Sequence, residues 1–196
     1  KQPCNIYNEK SPRFLLSPKH YAYLKIAEGC NNGCTYCLIP RIKGRYRSRT
    51  VESIISETKN LIDCYPLKEI ILIAEDTTFY GMDKYGKYML SYLLQEMAKL
   101  LQKKDIKIRL LYTHPAHYDD RLIEIISKNP VICPYLDIPL QHISDNILKR
   151  MNRKISKIDI LKLIEKLRDK IPDLVIRTTF IVGFPGETEE DFQQLY

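Results

Sequence analysis

Short apolar runs alternate with amphipathic segments along most of this 196-residue chain, and this alternation constrains the fold more than any other feature. The run 70–74 is continuously apolar, which is typical of a strand buried on both faces of a parallel sheet. Five such strands are separated by segments in which apolar residues recur at helical spacing. That order predicts right-handed βα crossovers. Since five units fall short of the eight of a closed barrel, we expect an α/β fold with an open, partial TIM-like barrel.

The elements can be placed approximately from periodicity and capping signals. Strands are predicted at 21–27, 70–74, 108–112, 135–138 and 174–184, and helices at 51–62, 90–101, 120–127, 144–151 and 160–167. Ser144 is the expected cap of the fourth helix, and Thr188 with Asp191 is typical of a capping box that begins a sixth. Residues 1–20 hold three prolines and are interpreted as a linker, and 21–196 as one core domain.

Composition sets wide limits on location and partners. No stretch approaches 18 apolar residues and no signal peptide opens the chain, so we expect a cytoplasmic protein without a membrane partner. A net charge of +7 permits an RNA contact but suits many other proteins equally. Three of the six cysteines fall within eight positions. In a reducing cytosol such crowding indicates a metal or catalysis rather than disulfides.

The crowded cysteines are Cys30, Cys34 and Cys37, in a polar loop after the first predicted strand. Thiolates are the usual ligands of iron–sulfur clusters, and three ligands leave one iron of a four-iron cluster open. A structural zinc site is the main alternative, but zinc normally takes four protein ligands, and Cys64 is predicted on a helix without a partner. An electron carrier would normally place four cysteines on its cluster. Cys64 and Cys133 are interpreted as core residues and Cys4 as part of the linker.

Other candidate site residues follow the ends of predicted strands, where the active sites of such folds lie. They are Glu75, Asp76 and Thr77 after the second strand, Gln141 and His142 after the fourth, and Gly183 to Gly186 after the fifth. Cations occupy every second position from 41 to 49, which in an extended segment places Arg41, Lys43, Arg45, Arg47 and Arg49 on one face. Such a stripe suits phosphates, although a solvated edge explains any single cation as well. Arg47 and Arg49 are the candidates for a substrate or phosphate contact.

The C-x3-C-x2-C spacing, with Tyr36 before the last cysteine, resembles the signature of the radical S-adenosylmethionine superfamily. The stretches 22–49 and 180–192 (FIVGFPGETEEDF) are similar to its methylthiotransferase branch. The resemblance covers 21–196. It implies a 4Fe-4S cluster on the three cysteines with one open iron, reductive cleavage of S-adenosylmethionine, and activation of a C–H bond for methylthiolation.

Within that branch the resemblance favours one of two substrates. The stretches 74–81 (AEDTTFYG) and 135–142 (YLDIPLQH) resemble enzymes that modify an aspartate β-carbon in a small-subunit ribosomal protein. Relatives that act on an adenosine of transfer RNA are the alternative, and a zinc-bearing nucleic-acid-binding module is an alternative from another class. Glu75 departs from the glutamine that is usual at its position and adds a charge near the cofactor.

The resemblance also implies site residues and partners. The expected contacts to S-adenosylmethionine are Tyr36, Glu75, Asp76, Thr77, Gln141, Arg177 and Gly183. Glu75, Asp76 and Thr77 are expected near its amine. Gln141 is expected near its ribose and Gly183 near its adenine. Lys25, Arg109, Asp137 and Arg177, charges within predicted strands, are expected to line a wet cavity and neutralise one another. A flavodoxin or ferredoxin would donate electrons. The second cluster and a carboxyl-terminal β domain of the family are expected outside this sequence, so the chain is expected to cleave the cofactor without completing methylthiolation.

Overall fold

A five-stranded parallel sheet organises the chain. The computed structural model describes residues 6–196, and Cys4, in the predicted linker, lies outside the described residues. The sheet contains β1 (Tyr21–Lys25), β4 (Glu69–Ile73), β5 (Lys107–Leu110), β6 (Ile132–Asp137) and β7 (Val175–Arg177), in that spatial order. Every pairing is parallel and each new strand adds to the same edge. Because β1 and β7 stand at opposite edges, the barrel is open and partial, as predicted.

The helices connect these strands and cover one face of the sheet. They are α1 (Ile39–Ile42), α2 (Val51–Cys64), α3 (Met82–Tyr85), α4 (Leu90–Leu101), α5 (Asp120–Lys128), α6 (Asp145–Arg150), α7 (Lys157–Lys170) and α8 (Glu189–Leu195). Helices α2, α4, α5 and α7 pack side by side in chain order. Alternate strand residues such as Leu24, Leu72 and Leu110 are buried beneath them. None of the helices in the described part of the chain is long and apolar enough to cross a membrane.

The outer edge of β1 is protected by side chains rather than by another strand. Its three outward carbonyls, those of Tyr21, Tyr23 and Lys25, accept hydrogen bonds from Ser17, Arg13 and Arg49 respectively. Glu57 on α2 forms ion pairs with both arginines. Unpaired strand edges invite pairing with other chains, so these contacts close this edge of the barrel.

The structure corrects several predicted boundaries. The first predicted strand divides at Ile26, because β2 (Ala27–Glu28) leaves the sheet and pairs antiparallel with β3 (Arg47–Ser48). The fifth predicted strand is only three residues long, and its continuation contributes a single bridge between Gln141 and Phe180. Cys64 is exposed rather than in the core, while Cys133 is half-buried within β6.

The capping predictions have different outcomes. The capping box of Thr188 and Asp191 is confirmed at the start of α8. Ser144 stands at the N-cap position of α6, but its hydroxyl donates to Asp191 and not to the helix. A remote carboxylate has therefore displaced the local cap.

Candidate active site

The three cysteines lie in the loop between β2 and α1, at the carboxyl end of the sheet. Its path depends on Gly29, whose φ is +85° and whose missing side chain leaves room for the carbonyls of Gly44 and Arg45. The Cys30 N–H donates to the Gly44 carbonyl at 3.2 Å, and the Cys37 N–H donates to the Cys34 carbonyl at 3.1 Å. Any β-carbon at position 29 would overlap that neighbouring backbone, so glycine is required there.

The end of β4 holds the loop from one side. Glu75 accepts the Gly29 N–H at 2.9 Å through Oε2. Asp76 Oδ2 accepts from Asn32 Nδ2 at 2.8 Å, so both acidic residues contact the loop through residues other than cysteine. Tyr46, next to the β2–β3 ribbon, donates its hydroxyl to the Asp76 carbonyl at 2.7 Å.

The end of α6 holds the loop from the opposite side. Thr35 donates its N–H to the Met151 carbonyl at 3.1 Å and its hydroxyl to the Arg150 carbonyl at 3.0 Å. Asn152 Nδ2 donates to the Gly33 carbonyl at 2.9 Å. Arg153 Nη1 lies 3.8 Å from Cys34 Sγ. These partners are more than a hundred residues from the loop in sequence, so no local sequence pattern could predict these contacts.

The cysteine side chains are half-buried, and none of the three forms a disulfide. Burial, as the largest cause, raises the pKa of the Cys30 thiol to about 11. A cation bound beside it would favour the thiolate. Among the described residues the three sulfurs do not converge within 4.8 Å of one another. A single zinc with Zn–S bonds of about 2.3 Å would hold two sulfurs about 3.8 Å apart. Three cysteines also fall short of the four protein ligands that a structural zinc normally takes.

An unmatched buried cation also fits an anionic group at the cysteines. Arg153 is 8% exposed, and within the described part of the chain no carboxylate forms an ion pair with it. Its Nε has no hydrogen-bond partner. A buried charge without compensation is costly. A cluster bound through thiolates carries the negative charge that this position lacks, so the residues present fit such a group.

The residues after β4 differ in how much of each side chain remains available. Asp76 is 1% exposed, and its carboxylate accepts from Asn32, Thr78 and the Phe79 N–H and lies 2.8 Å from His117 Nδ1. Burial is the largest single influence and opposes its charge, but the contacts with His117, His114 and Thr78 together outweigh burial and lower the pKa of Asp76. Asp76 is thus committed to the protein framework.

Its neighbours Thr77 and Glu75 contrast with each other. Thr77 is fully buried and donates its hydroxyl to the Leu111 carbonyl at 2.9 Å. Glu75 is half-buried and uses only Oε2 on the Gly29 N–H. Among the three predicted contacts to the methionine amine, Glu75 is therefore the residue whose carboxylate keeps one oxygen, Oε1, available to accept a hydrogen bond from a ligand.

One further cluster of potential metal ligands occurs among the described residues. Asp76, His114 and His117 place one ligand atom each within 4.8 Å of the others. His114 Nδ1 already accepts the Ala116 N–H, and Asp76 is saturated with hydrogen bonds. Burial, followed by the positive charge of Arg153, lowers the pKa of His114 to about 3, so this imidazole is neutral. The cluster connects the ends of β4 and β5 and contains none of the cysteines.

The remaining predicted contacts follow β6 and β7. Gln141 has a φ of +73° and pairs through its backbone with Thr179 and Ile181, which joins the two strand ends. Gly183 has a φ of +72°, and no atom lies within 4 Å of the position a β-carbon would take, so its backbone faces open space. Tyr36 contacts Phe184 edge-to-face with ring centroids 6.5 Å apart, which places the cysteine loop beside this glycine-containing segment.

His142 supports that segment from below and has no exposed surface. Its Nδ1 accepts the Ser144 N–H at 3.0 Å, so the proton is on Nε2, which lies 3.5 Å from Glu187 Oε1. Glu187 in turn accepts the Phe184 N–H at 2.8 Å. His142 is thus a structural residue, which joins the start of α6 to the turn that contains Glu187.

The charges within the strands pair mostly with other partners than predicted. Arg177 and Asp137 face each other at 3.9 Å at the carboxyl end. Arg109 instead pairs with Glu69 at 2.6 Å, and Lys25 with Glu28 at 2.8 Å. Of the four strand charges that are expected to neutralise one another, only Arg177 and Asp137 therefore do so.

The stripe of cations is also interrupted. Arg41 belongs to the short helix α1, so the segment is not extended throughout and the five cations do not share one face. Arg49 is buried, and its Nη1 pairs with Glu57 at 2.5 Å, which leaves it no surface for a phosphate. Arg47 is half-buried and donates to the carbonyls of Lys43 and Arg45, with Nε unpartnered.

An open parallel barrel with a three-cysteine loop at the carboxyl ends of its strands defines a class of enzyme. Residues 24–196 match the radical SAM superfamily, and the chain belongs to it. Enzymes of this superfamily use a 4Fe-4S cluster and S-adenosylmethionine, in agreement with the predicted cofactors.

Curated relatives make the likeness more specific. The chain is 53% identical over 190 residues to the ribosomal protein uS12 methylthiotransferase RimO of Clostridioides difficile (strain 630), covering 97% of this chain and 42% of that protein. It is 56% identical over 184 residues to the protein of the same name from Clostridium botulinum (strain Eklund 17B / Type B), covering 93% and 40% respectively. The predicted resemblance to this branch is confirmed, and the chain spans about two fifths of the length of these relatives.

Solved structures agree on the fold. The radical S-adenosylmethionine methyltransferase TsrM from Kitasatospora setae superposes with a TM-score of 0.70 at 15% identity, covering 90% of this chain and 33% of that chain. Methylornithine synthase (PylB) superposes with a TM-score of 0.58 at 12% identity, covering 89% and 48% respectively. These likenesses confirm the architecture.

Proposed function

We propose that this chain is the radical-generating core of a methylthiotransferase that acts on an aspartate β-carbon of ribosomal protein uS12. The observation that carries the proposal is the loop of Cys30, Cys34 and Cys37, which stands at the carboxyl ends of the strands with an unmatched buried cation, Arg153, beside it. About 50% identity to relatives named for that reaction supports the choice of substrate. The proposed setting is the cytoplasm, with a flavodoxin or ferredoxin as electron donor.

The three cysteines would hold the cluster, and the fourth iron would remain open to S-adenosylmethionine. When bound, the cluster supplies the electron that cleaves S-adenosylmethionine into methionine and a 5′-deoxyadenosyl radical, which removes hydrogen from the substrate. Glu75 Oε2 orients the loop through the Gly29 N–H, and its other oxygen would accept from the methionine amine. The open space at Gly183 would admit the adenine against backbone. Gln141, Tyr36 and Arg177 would make the remaining contacts to the cofactor.

Domain organisation is part of the proposal. We propose that residues 21–196 provide cofactor cleavage, and that methylthiolation needs the second cluster and the substrate-binding β domain encoded outside these residues. Transfer of a methylthio group to uS12 by the 196-residue chain alone would contradict this division. A zinc-bearing module receives no support from a specific observation, because a structural zinc normally takes four protein ligands and the loop supplies three.

The first experiment is anaerobic reconstitution with iron and sulfide, followed by electron paramagnetic resonance of the reduced chain with and without S-adenosylmethionine. We expect a 4Fe-4S signal that changes on addition of the cofactor, together with formation of 5′-deoxyadenosine. Cys37→Ser should abolish the signal, while Cys64→Ser, at an exposed free cysteine, is the matched control and should retain it. A colourless chain that takes up one zinc instead would refute the proposal.

The substrate is tested separately with the longer protein that contains this core. Incubated with uS12 and with unmodified transfer RNA under reducing conditions, it should add a methylthio group to the aspartate alone, as measured by peptide mass spectrometry. Modification of adenosine in the RNA would assign the protein to the alternative substrate.

A further inference from the structure

The turn that ends α6 directs Arg153 at the cysteine loop. Asn152 adopts a φ of +54°, its N–H donates to the Lys149 carbonyl at 3.0 Å, and the Arg153 N–H donates to the Leu148 carbonyl at 2.9 Å. These are the two hydrogen bonds of a Schellman motif, which fixes the chain direction at a helix end. Asparagine tolerates this left-handed conformation, and its side chain also donates to the Gly33 carbonyl.

The guanidinium of Arg153 is held in place at two points. Nη2 donates to the Pro139 carbonyl at 2.5 Å, and Nη1 lies 3.8 Å from Cys34 Sγ. The side chain is buried, Nε has no partner, and among the described residues no carboxylate pairs with it. Apart from the Pro139 carbonyl, the guanidinium has only the Cys34 sulfur as a partner among the described residues.

We propose that Arg153 is a positioning and electrostatic residue of the cluster, which donates to the Cys34 thiolate and raises the reduction potential of the bound cluster. This inference rests on the proposed function, since it requires the cluster on the three cysteines. Reduction adds one negative charge to a cluster, and a buried cation beside a ligand sulfur stabilises that charge. Hydrogen bonds to the sulfurs, net charge and solvent exposure are the general determinants of iron–sulfur potentials.

The experiment is a potentiometric titration of the reconstituted chain without S-adenosylmethionine, with the reduced cluster quantified by electron paramagnetic resonance. In Arg153→Gln we expect the ratio of reduced to oxidised cluster at a fixed potential to fall about tenfold, which is 59 mV for a one-electron couple. Arg153→Lys keeps the charge and should recover most of the shift. The matched control is Lys154→Gln, which removes one cation from the adjacent exposed position and should leave the potential unchanged.

Iron content and thermal unfolding separate this role from a structural one. A Gln variant with wild-type iron content and an unchanged potential would overturn the inference while leaving the proposed function intact. An equal fall in the Lys variant would also overturn it, because charge would then not be the cause. If both variants fold but bind no iron, Arg153 serves assembly and the inference fails. A wild-type chain that binds no cluster refutes the proposed function itself.

Discussion

Removal of the Asp76 carboxylate should destabilise the fold more than the loss of an ordinary polar contact. The side chain is 1% exposed. It accepts from Asn32 at 2.8 Å, from Thr78 at 2.6 Å and from the Phe79 N–H at 3.1 Å, and it lies 2.8 Å from His117 Nδ1. Asp76→Ala leaves Asn32, His117 and the Phe79 N–H without this acceptor, in a site that water does not readily enter. Thr78 keeps only its longer hydrogen bond to the His114 carbonyl, at 3.4 Å.

The magnitude follows from these four contacts. A hydrogen bond to a charged group contributes about 1.5–3 kcal/mol net, but contacts that share one carboxylate are not additive. Removing one member of a buried charged network costs about 3–5 kcal/mol. We therefore expect Asp76→Ala to lower the free energy of unfolding by about 4 kcal/mol, which shifts the equilibrium by nearly three powers of ten. The free energy of unfolding of a whole domain is only about 5–15 kcal/mol, so the variant should be marginally stable.

Urea unfolding of the iron-free chain at pH 7.5, followed by circular dichroism, measures this loss. The matched control is Asp105→Ala, which removes an exposed carboxylate that pairs with Lys68 at 2.8 Å. Exposed pairs contribute about 0–1 kcal/mol, so the control should unfold close to the wild type. If Asp76→Ala also stays within 1 kcal/mol of the wild type, the four contacts do not stabilise the fold as argued.

Two further predictions concern buried charge. His114, with its pKa lowered to about 3 by burial, is neutral in the fold but binds a proton in the unfolded chain below its ordinary pKa of about 6.5. The contribution of His114 to the free energy of unfolding is therefore fully present above pH 6.5 and is lost as the pH falls, by about 1.4 kcal/mol between pH 7.5 and 5.5. Urea unfolding at both pH values should show this loss in the wild type. An equal loss in His114→Gln would contradict the prediction. Glu57→Ala should cost about 3–5 kcal/mol in the same assay, because it leaves the buried Arg49 without its counter-charge. Glu124→Ala, which breaks an exposed pair, is its control, and equal losses in the two variants would refute the argument.

The sheet could be predicted because its signals are local. The apolar run 70–74 and the spaced apolar residues of α2 and α4 are readable within windows of a dozen residues. The ribbon of β2 and β3 was missed because each strand has only two residues, too few for a period to appear. The neighbours of Ser144 predict a helix cap, but its hydroxyl donates to Asp191, 47 residues later.

The candidate site also combines features that a local sequence pattern predicts with contacts between distant residues that it does not. The cysteine spacing is a local motif, and it predicts the three ligands and the cofactor class. Asn152 and Arg153 lie 119 residues from their partners in the loop, and no sequence pattern connects them. A charged residue just beyond a helix end is ordinary in a soluble protein. Only its burial without a carboxylate partner distinguishes Arg153, and burial there is a property of the folded chain.

The hydrogen bond that Glu75 accepts explains how glutamate can replace the expected glutamine at position 75. The contact that Glu75 makes with the Gly29 N–H requires only an oxygen acceptor, which a glutamine amide offers as well as a carboxylate does. Glutamate therefore preserves the support of the cysteine loop and adds one negative charge beside it. Lys43 and Lys25 make their ion pairs with Glu28, at 2.7 Å and 2.8 Å, so neither lysine pairs directly with Glu75. An ammonium group would be attracted to this position more strongly than in a chain with glutamine, and the half-buried Glu75 is where the methionine amine of the cofactor is proposed to bind.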